Sequence, residues 1–345
     1  MNNNQYDTLV FSGGGLRGFA FIGCQKSLEE RRIIGEIETF AGCSIGAVFA
    51  AIMAAGYTSE ELYDFILNFT YNDVRNIKIL NFLTSYGLET GDKILEFLRI
   101  MLKRKTGFNN ITFEEFYKLT RKHLIINATC LNDHKVVYFD HISHPEMPVV
   151  LALRMSISLP FLMAPVSYKG KLYVDGGVMD NFPVHLFKNP ERVLGFKLTN
   201  DYPPVSKIDN FESFVRHTWS CIYGELNRVK LEGLVGYQLI LIDISYVHTF
   251  NLYLTQEQRI EMYKIGYNTS EKVFEELFKN KNEKETNKST LVRDILEDLS
   301  KNSELLSLPQ DNYSNQDRIK LEFDQVVKSD QIELEKQESK IEKDL

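Results

Sequence analysis

No stretch of this chain strings together the roughly 18 apolar residues that a membrane-spanning helix requires, so no transmembrane segment is expected. The opening residues, Met1-Asn2-Asn3-Asn4-Gln5, are polar and carry no apolar core of a secretory signal. Cysteine is scarce. Cys24, Cys43, Cys130 and Cys221 lie far apart with no Cys-x-x-Cys pair, which argues against a zinc site and a disulfide framework and favours reduced core thiols. Positive charge is not in excess either: 40 Lys and Arg face 47 Asp and Glu, net −7, so no nucleic-acid partner is expected. No internal repeat occurs, and the absence of a Gly-Lys-Ser/Thr sequence excludes a P-loop. What remains is an ordinary globular composition, 43% hydrophobic and 25% charged, expected to be cytoplasmic.

Within that frame, apolar runs alternate with amphipathic ones. Asp7–Ser12 reads as a buried first strand, and Phe19–Arg32 as a helix. Thr39–Ala41 is a short strand and Ala47–Ala55 a helix. Gly56 suits a helix C′ position, and Thr58 with Glu61 has capping-box spacing. Residues 62–102 have helical character, interrupted near 84–91, and end in a stripe of Ile94, Leu95, Phe97, Leu98, Met101 and Leu102 before Lys103-Arg104-Lys105. Such a stripe packs on a core more often than it lies on a lipid surface. Strands are expected at 124–130 and 135–140 about the turn Asn132-Asp133, at 172–174, 192–198 and 238–244, with helices at 149–155, 210–233 and 256–278. The alternation predicts an α/β domain with a mainly parallel sheet. After Phe278 the composition changes: 12 Lys and Arg stand against 16 Asp and Glu in 279–345, net −4, with few apolar residues. A mobile, partly helical charged tail outside the fold is expected there.

Gly42-Cys43-Ser44-Ile45-Gly46 lies between the second strand and its helix. A serine at a strand-to-helix turn with a glycine two residues away on each side has the spacing of a nucleophile elbow. Glycines there relieve crowding at a strained backbone and leave the hydroxyl exposed, while the helix N-terminus favours negative charge. Glycine and serine also make ordinary turns, and the spacing alone does not separate the two readings.

One strand earlier stands Gly13-Gly14-Gly15-Leu16-Arg17-Gly18. Its Gly-x-Gly-x-x-Gly matches a dinucleotide fingerprint, and Glu36 and Glu38 stand where a ribose-binding acid belongs. Against that reading, three consecutive glycines supply more backbone N–H groups than the fingerprint needs. Adjacent parallel strands end at one edge, so this loop should face Ser44, where a nest of N–H groups would serve as an oxyanion hole. None of the seven histidines sits in a glycine-rich turn, whereas Asp175 ends a strand and is followed by Gly176-Gly177.

Those three motifs, in that order, resemble the patatin-like phospholipases, and Ser156–Pro165 and Val178–Pro183 extend the likeness over roughly Tyr6–Pro190. The resemblance implies a three-layer α/β/α sandwich. Its catalytic core would span 6–190, with 191–278 continuing the same domain. It implies that Ser44 is the nucleophile and Asp175 the general base, with Gly13, Gly14, Gly15, Leu16, Arg17 and Gly18 as the oxyanion loop. Gly42, Cys43, Ile45 and Gly46 would complete the elbow, and Gly176 and Gly177 the loop after the base. The implied activity is hydrolysis of fatty-acyl esters through an acyl-enzyme, with phospholipid or another acyl lipid as substrate, a membrane surface as peripheral partner, and no cofactor or metal. Arg17 either binds a lipid phosphate or anchors its own loop. An acyltransferase using the same pair, an α/β-hydrolase with a later histidine, and a non-catalytic nucleotide- or lipid-binding module are the competing readings. The second has little room, since several strands would have to precede Ser44.

Overall fold

Four consecutive buried residues, Thr8–Phe11, form β1. A strand buried on both faces belongs at the centre of a covered sheet, and β1 is indeed flanked by parallel partners on both sides, β2 (Thr39–Cys43) and β9 (Val193–Leu198). β10 (Gln238–Ile242) extends the sheet parallel to β9, and β4 (His123–Cys130) extends it parallel to β2. Only beyond β4 do antiparallel strands appear: β5 (Lys135–Phe139), β7 (Val166–Tyr168) and β8 (Lys171–Asp175). A separate parallel pair joins β3 (Gly87–Glu89) to β6 (Phe161–Met163). The computed structural model describes residues 5–68, 86–199, 205–247, 251 and 253–303.

The pleat divides side chains between two cores. Leu9, Phe11, Phe40, Leu124, Ile126 and Phe196 join the larger cluster, beneath α1 (Ala20–Glu30) and α2 (Ile45–Ala54). Val10, Ala41, Ile125 and Val193 point to the smaller one, covered by Phe182, Val184 and by Leu231 of α7 (Phe211–Glu232). The result is the expected α/β/α sandwich, with unequal outer layers.

Local chemistry accounts for most boundaries. The expected helix at 19–32 opens with a tighter 3-10 turn, Gly15–Phe19, and becomes α1 at Ala20. α3 (Ser59–Asn68) and α4 (Asp92–Thr106) bracket the interruption expected near 84–91, where β3 forms; 69–85 lies outside the described residues. α5 (Phe113–Thr120) was not anticipated, although Thr112 and Glu115 form a complete capping box at its start. α6 (Val149–Ser156) follows expectation, whereas α8 (Gln256–Ser303) runs past the expected end at Phe278 into the charged segment; the rest of the expected tail lies outside the described residues. By contact the chain divides into two compact units, Met1–Phe278 and Lys279–Leu345.

Within the first unit, α1 and α8 pack backbone against backbone. A Cβ on Gly23 would lie 1.9 Å from the Tyr263 carbonyl oxygen, and one on Gly266 would lie 1.9 Å from that of Ala20. No side chain can yield at such a contact. Gly23→Ala should therefore lower stability by about 1–3 kcal/mol, the range for overpacking, read as a lower urea midpoint. Gly35→Ala, with nothing within 4 Å, should stay within about 0.5 kcal/mol of the parent.

Candidate active site

The register of β4 assembles the site. β5 occupies one flank of β4 from Ile126 to Cys130. The other flank is shared end to end: β2 pairs along His123–Asn127 and β8 along Ala128–Cys130. β2 runs parallel to β4 and β8 antiparallel, so their C-termini meet. Cys43 stands opposite Asn127 and Asp175 opposite Ala128, adjacent residues of one strand. The next residue after Cys43 is Ser44, and its Oγ donates to Asp175 Oδ2 at 2.6 Å.

Ser44 sits at φ 54°, ψ −127°, a conformation that non-glycine residues rarely adopt, and is the N-cap of α2. The flanking glycines make it attainable. A Cβ on Gly42 would come within 2.4 Å of the Gly46 backbone, and one on Gly46 within 2.5 Å of the Phe11 and Ser12 carbonyls. Ser156, at the end of α6, accepts the Ser44 N–H on its Oγ at 2.8 Å, and the Ser158 carbonyl accepts the Asp175 N–H at 2.9 Å. One short segment thus grips both backbones.

Asp175 is almost wholly buried, at 3% exposure. Burial pushes its carboxyl up from 3.8 to about 7, against the opposing hydrogen bonds from Ser44, the Gly177 N–H (2.7 Å) and the Cys43 thiol (3.9 Å). Burial, reinforced by Asp175 itself, drives the Cys43 thiol well above its usual value, so Cys43 stays protonated beside the serine. Gly176 leaves room for the Asn127 side chain, whose Oδ1 would lie 2.3 Å from a Cβ there.

The six residues 13–18 divide their tasks. Gly13 packs against Ser44, its added Cβ falling 3.1 Å from the serine Cβ, and its N–H already donates to the Asn181 carbonyl at 3.0 Å. Arg17 is buried and anchors the loop: Nε donates to the Gly14 carbonyl at 3.0 Å and Nη1 to the Thr199 carbonyl at 2.7 Å. Of the two roles considered for Arg17, the contacts are those of the anchor. Gly15 has φ 62°, in the left-handed region. Because a trans peptide directs C=O and N–H oppositely, Arg17's hold on the Gly14 carbonyl turns the Gly15 N–H the other way. Leu16 lines an apolar cavity, and Gly18 makes room for Ile45.

Several residues here carry no motif signal. Asp180 lies five residues beyond Asp175 and is buried, yet it has a cation and a phenol as partners: Lys230 Nζ at 2.8 Å from α7 and the Tyr138 hydroxyl at 2.8 Å. Burial beside that carboxylate raises the Tyr138 phenol, which keeps it a donor. Arg154 of α6 bonds the Ser158 hydroxyl and the carbonyls of Thr90 and Ala164, tying the β3–β6 pair to the segment behind the serine. The apolar stripe of α4 faces the core, with Leu98, Met101 and Leu102 buried. Among the described residues, the hydrogen-bond partners of Ser44 and Asp175 include no histidine; His248 lies outside them. No helix among the described residues is long and apolar enough to cross a membrane.

A model of the patatin-like phospholipase family matches residues 9–188. The chain belongs to that family. Among similar proteins, the uncharacterized protein R571 of Acanthamoeba polyphaga mimivirus is 31% identical over 205 residues, spanning 58% of this chain and 68% of that one. The probable lipid hydrolase 463L of Invertebrate iridescent virus 6 is 30% identical over 189 residues, 52% of this chain and 63% of that one. VipD from Legionella pneumophila superposes with a TM-score of 0.51 at 17% identity, covering 79% of this chain and 67% of VipD, a likeness of fold. The patatin-like segment accordingly holds β1 to β8, the elbow and the Asp175 loop, while β9 and β10 extend its sheet beyond the matched residues.

The raised carboxyl of Asp175 makes stability depend on pH. Its folded value lies above its unfolded one, so the folded state keeps a proton that the unfolded chain loses between about pH 4 and pH 7. Stability from this group falls as pH rises through that window. Asp175→Asn should abolish a decline on the order of 3 kcal/mol between about pH 5 and pH 8, measured by urea unfolding at each pH. A parallel decline in both proteins would sink the assignment.

Proposed function

We propose that this protein is a serine hydrolase of fatty-acyl esters in lipids, working through Ser44 and Asp175 without a histidine. The observation that carries the reading is the 2.6 Å bond from the strained Ser44 hydroxyl to a buried carboxylate pushed up to about 7. An ordinary aspartate is too weak a base for a serine hydroxyl; one brought near neutrality by burial is better matched to the proton it must take.

In the first half-reaction Asp175 accepts the Ser44 proton as Oγ forms a bond to the acyl carbonyl carbon. Negative charge develops on the carbonyl oxygen, where the N-terminus of α2 and the N–H groups of Gly14 and Gly15 stabilise it. These N–H groups open the 3-10 turn Gly15–Phe19, and the first N–H groups of a turn have no partner within it. Collapse of the intermediate breaks the ester bond, and Asp175 returns its proton to the departing alcohol oxygen. In the second half-reaction Asp175 takes a proton from water, water adds to the acyl-enzyme, and the fatty acid leaves as Ser44 regains its proton. The family and the probable lipid hydrolase relative support a lipid as the acyl donor, which brings the protein to a membrane or micelle surface as a peripheral visitor.

Purified protein incubated with phosphatidylcholine vesicles should release free fatty acid, and Ser44→Ala and Asp175→Asn should each lose at least about a thousandfold. Retained release by Ser44→Ala would refute the mechanism. A fluorophosphonate probe should label the parent and not Ser44→Ala, a readout that needs no correct substrate. The ionised form of Asp175 is the base, so kcat/KM should fall as pH drops through about 7.

Arg17 offers a separate check on the oxyanion loop. Since it holds the Gly14 carbonyl, Arg17→Ala should lose activity to the same degree on phospholipids and on neutral esters. A loss confined to phospholipids would instead make Arg17 a phosphate ligand.

A further inference from the structure

An apolar cavity is lined by Ile45, the residue that follows Ser44 in the chain. Its near wall is Leu16 from the oxyanion loop, Ile45 next to the serine, and Ile157, which lies between the two residues that grip the Ser44 and Asp175 backbones. From there it follows one face of α2, marked by Ile45, Val48, Phe49 and Ile52, the spacing that places side chains in a row. We infer that this cavity is a ruler for the acyl chain, with Ile52 and Met101 at its far end setting the chain length accepted. The inference rests on the acyl-ester reading above and adds the class of acyl group.

The far end is fixed independently of the cavity's outline. Tyr57 follows α2 and donates its N–H to the Ile52 carbonyl at 3.2 Å, and its hydroxyl donates to the Met101 carbonyl at 2.9 Å. Met101 is therefore held at the C-terminal end of α2, the end opposite Ser44. Ile52 stands seven positions after Ile45, which at the helical rise is about 10 Å. An extended chain of tetrahedral carbons, with bonds of about 1.5 Å and angles near 111°, advances about 1.3 Å per carbon. Roughly eight carbons then fit between Ser44 and the Ile52–Met101 wall. Among the described residues, every one that lines the cavity is apolar, which disfavours water there and favours an apolar occupant. The chemistry points to medium-chain acyl groups.

Titration of saturated fatty acids from four to sixteen carbons into Ser44→Ala, followed by calorimetry, reads the ruler without turnover. Affinity should rise about fourfold per methylene, the factor for burying one CH2, up to about eight carbons and then level. Met101→Ala on the same background should move the break outward by about two carbons, and Ile52→Trp should move it inward. Circular dichroism melting shows whether Ile52→Trp folds; if it does not, Met101→Ala alone decides. Affinity climbing without a break to sixteen carbons, a break unmoved in the folded variants, or no binding of any acid would overturn the ruler. Hydrolysis and Ser44 labelling are measured separately, so the ruler can fail while the hydrolase reading stands, and the reverse.

Discussion

Everything at this site depends on two strands sharing one flank of β4. β2 arrives in parallel and β8 in antiparallel, and they stop at neighbouring register positions, Asn127 and Ala128. A slip of one residue in either pairing would turn its side chains to the opposite face of the sheet and separate Ser44 from Asp175. The two residues are far apart in the chain, yet the hydrogen-bond ladders of β4 hold them as rigidly as neighbours. The segment after α6 reinforces this by binding the Ser44 N–H through Ser156 and the Asp175 N–H through Ser158.

The second constraint is electrostatic. Two aspartates of one loop are buried to a similar degree and treated oppositely. Asp180 receives Lys230 and Tyr138, and the pair fastens α7 to the loop. Among the described residues, Asp175 receives the Ser44 hydroxyl, one backbone N–H and a weak thiol donor. A buried carboxylate with no cation beside it holds its proton more tightly, which works against stability at neutral pH and in favour of proton transfer. The chain tolerates that cost locally, together with the positive φ of Ser44, because pairing to β4 fixes the backbone up to Cys43 and Asp175.

Much of this was legible from residue types. The glycines at 42 and 46 announce a close backbone approach, and the contacts of 2.4 and 2.5 Å that a Cβ would make show why no other residue serves. Strands β1, β2, β4, β9 and β10 declare themselves through apolar runs, since a strand covered on both faces needs no alternation. The short strands β3, β6 and β7 gave no such signal: each has three residues, too few for a period to show. α5 carried its signal in Thr112 and Glu115, a cap that propensity alone does not weigh. The Arg154 clamp and the Lys230–Asp180 pair were invisible, because a lone charged residue in a sequence shows neither its burial nor its partner.

The sequence by itself determined which atoms are available for chemistry. It supplied a serine that glycines allow into a strained turn, an aspartate that ends a strand, and a loop rich in backbone N–H groups. Tertiary structure decided what those atoms are. Only the register along β4 brings the hydroxyl within 2.6 Å of the carboxylate, and only burial, against the hydrogen bonds from Ser44, Gly177 and Cys43, lifts that carboxyl to about 7. It also decided that Arg17 holds the Gly14 carbonyl and that Ile94, Phe97, Leu98 and Met101 of the α4 stripe line an apolar cavity. Distance and solvent exclusion are properties of packed surfaces remote in sequence, so they enter only when the sheet closes.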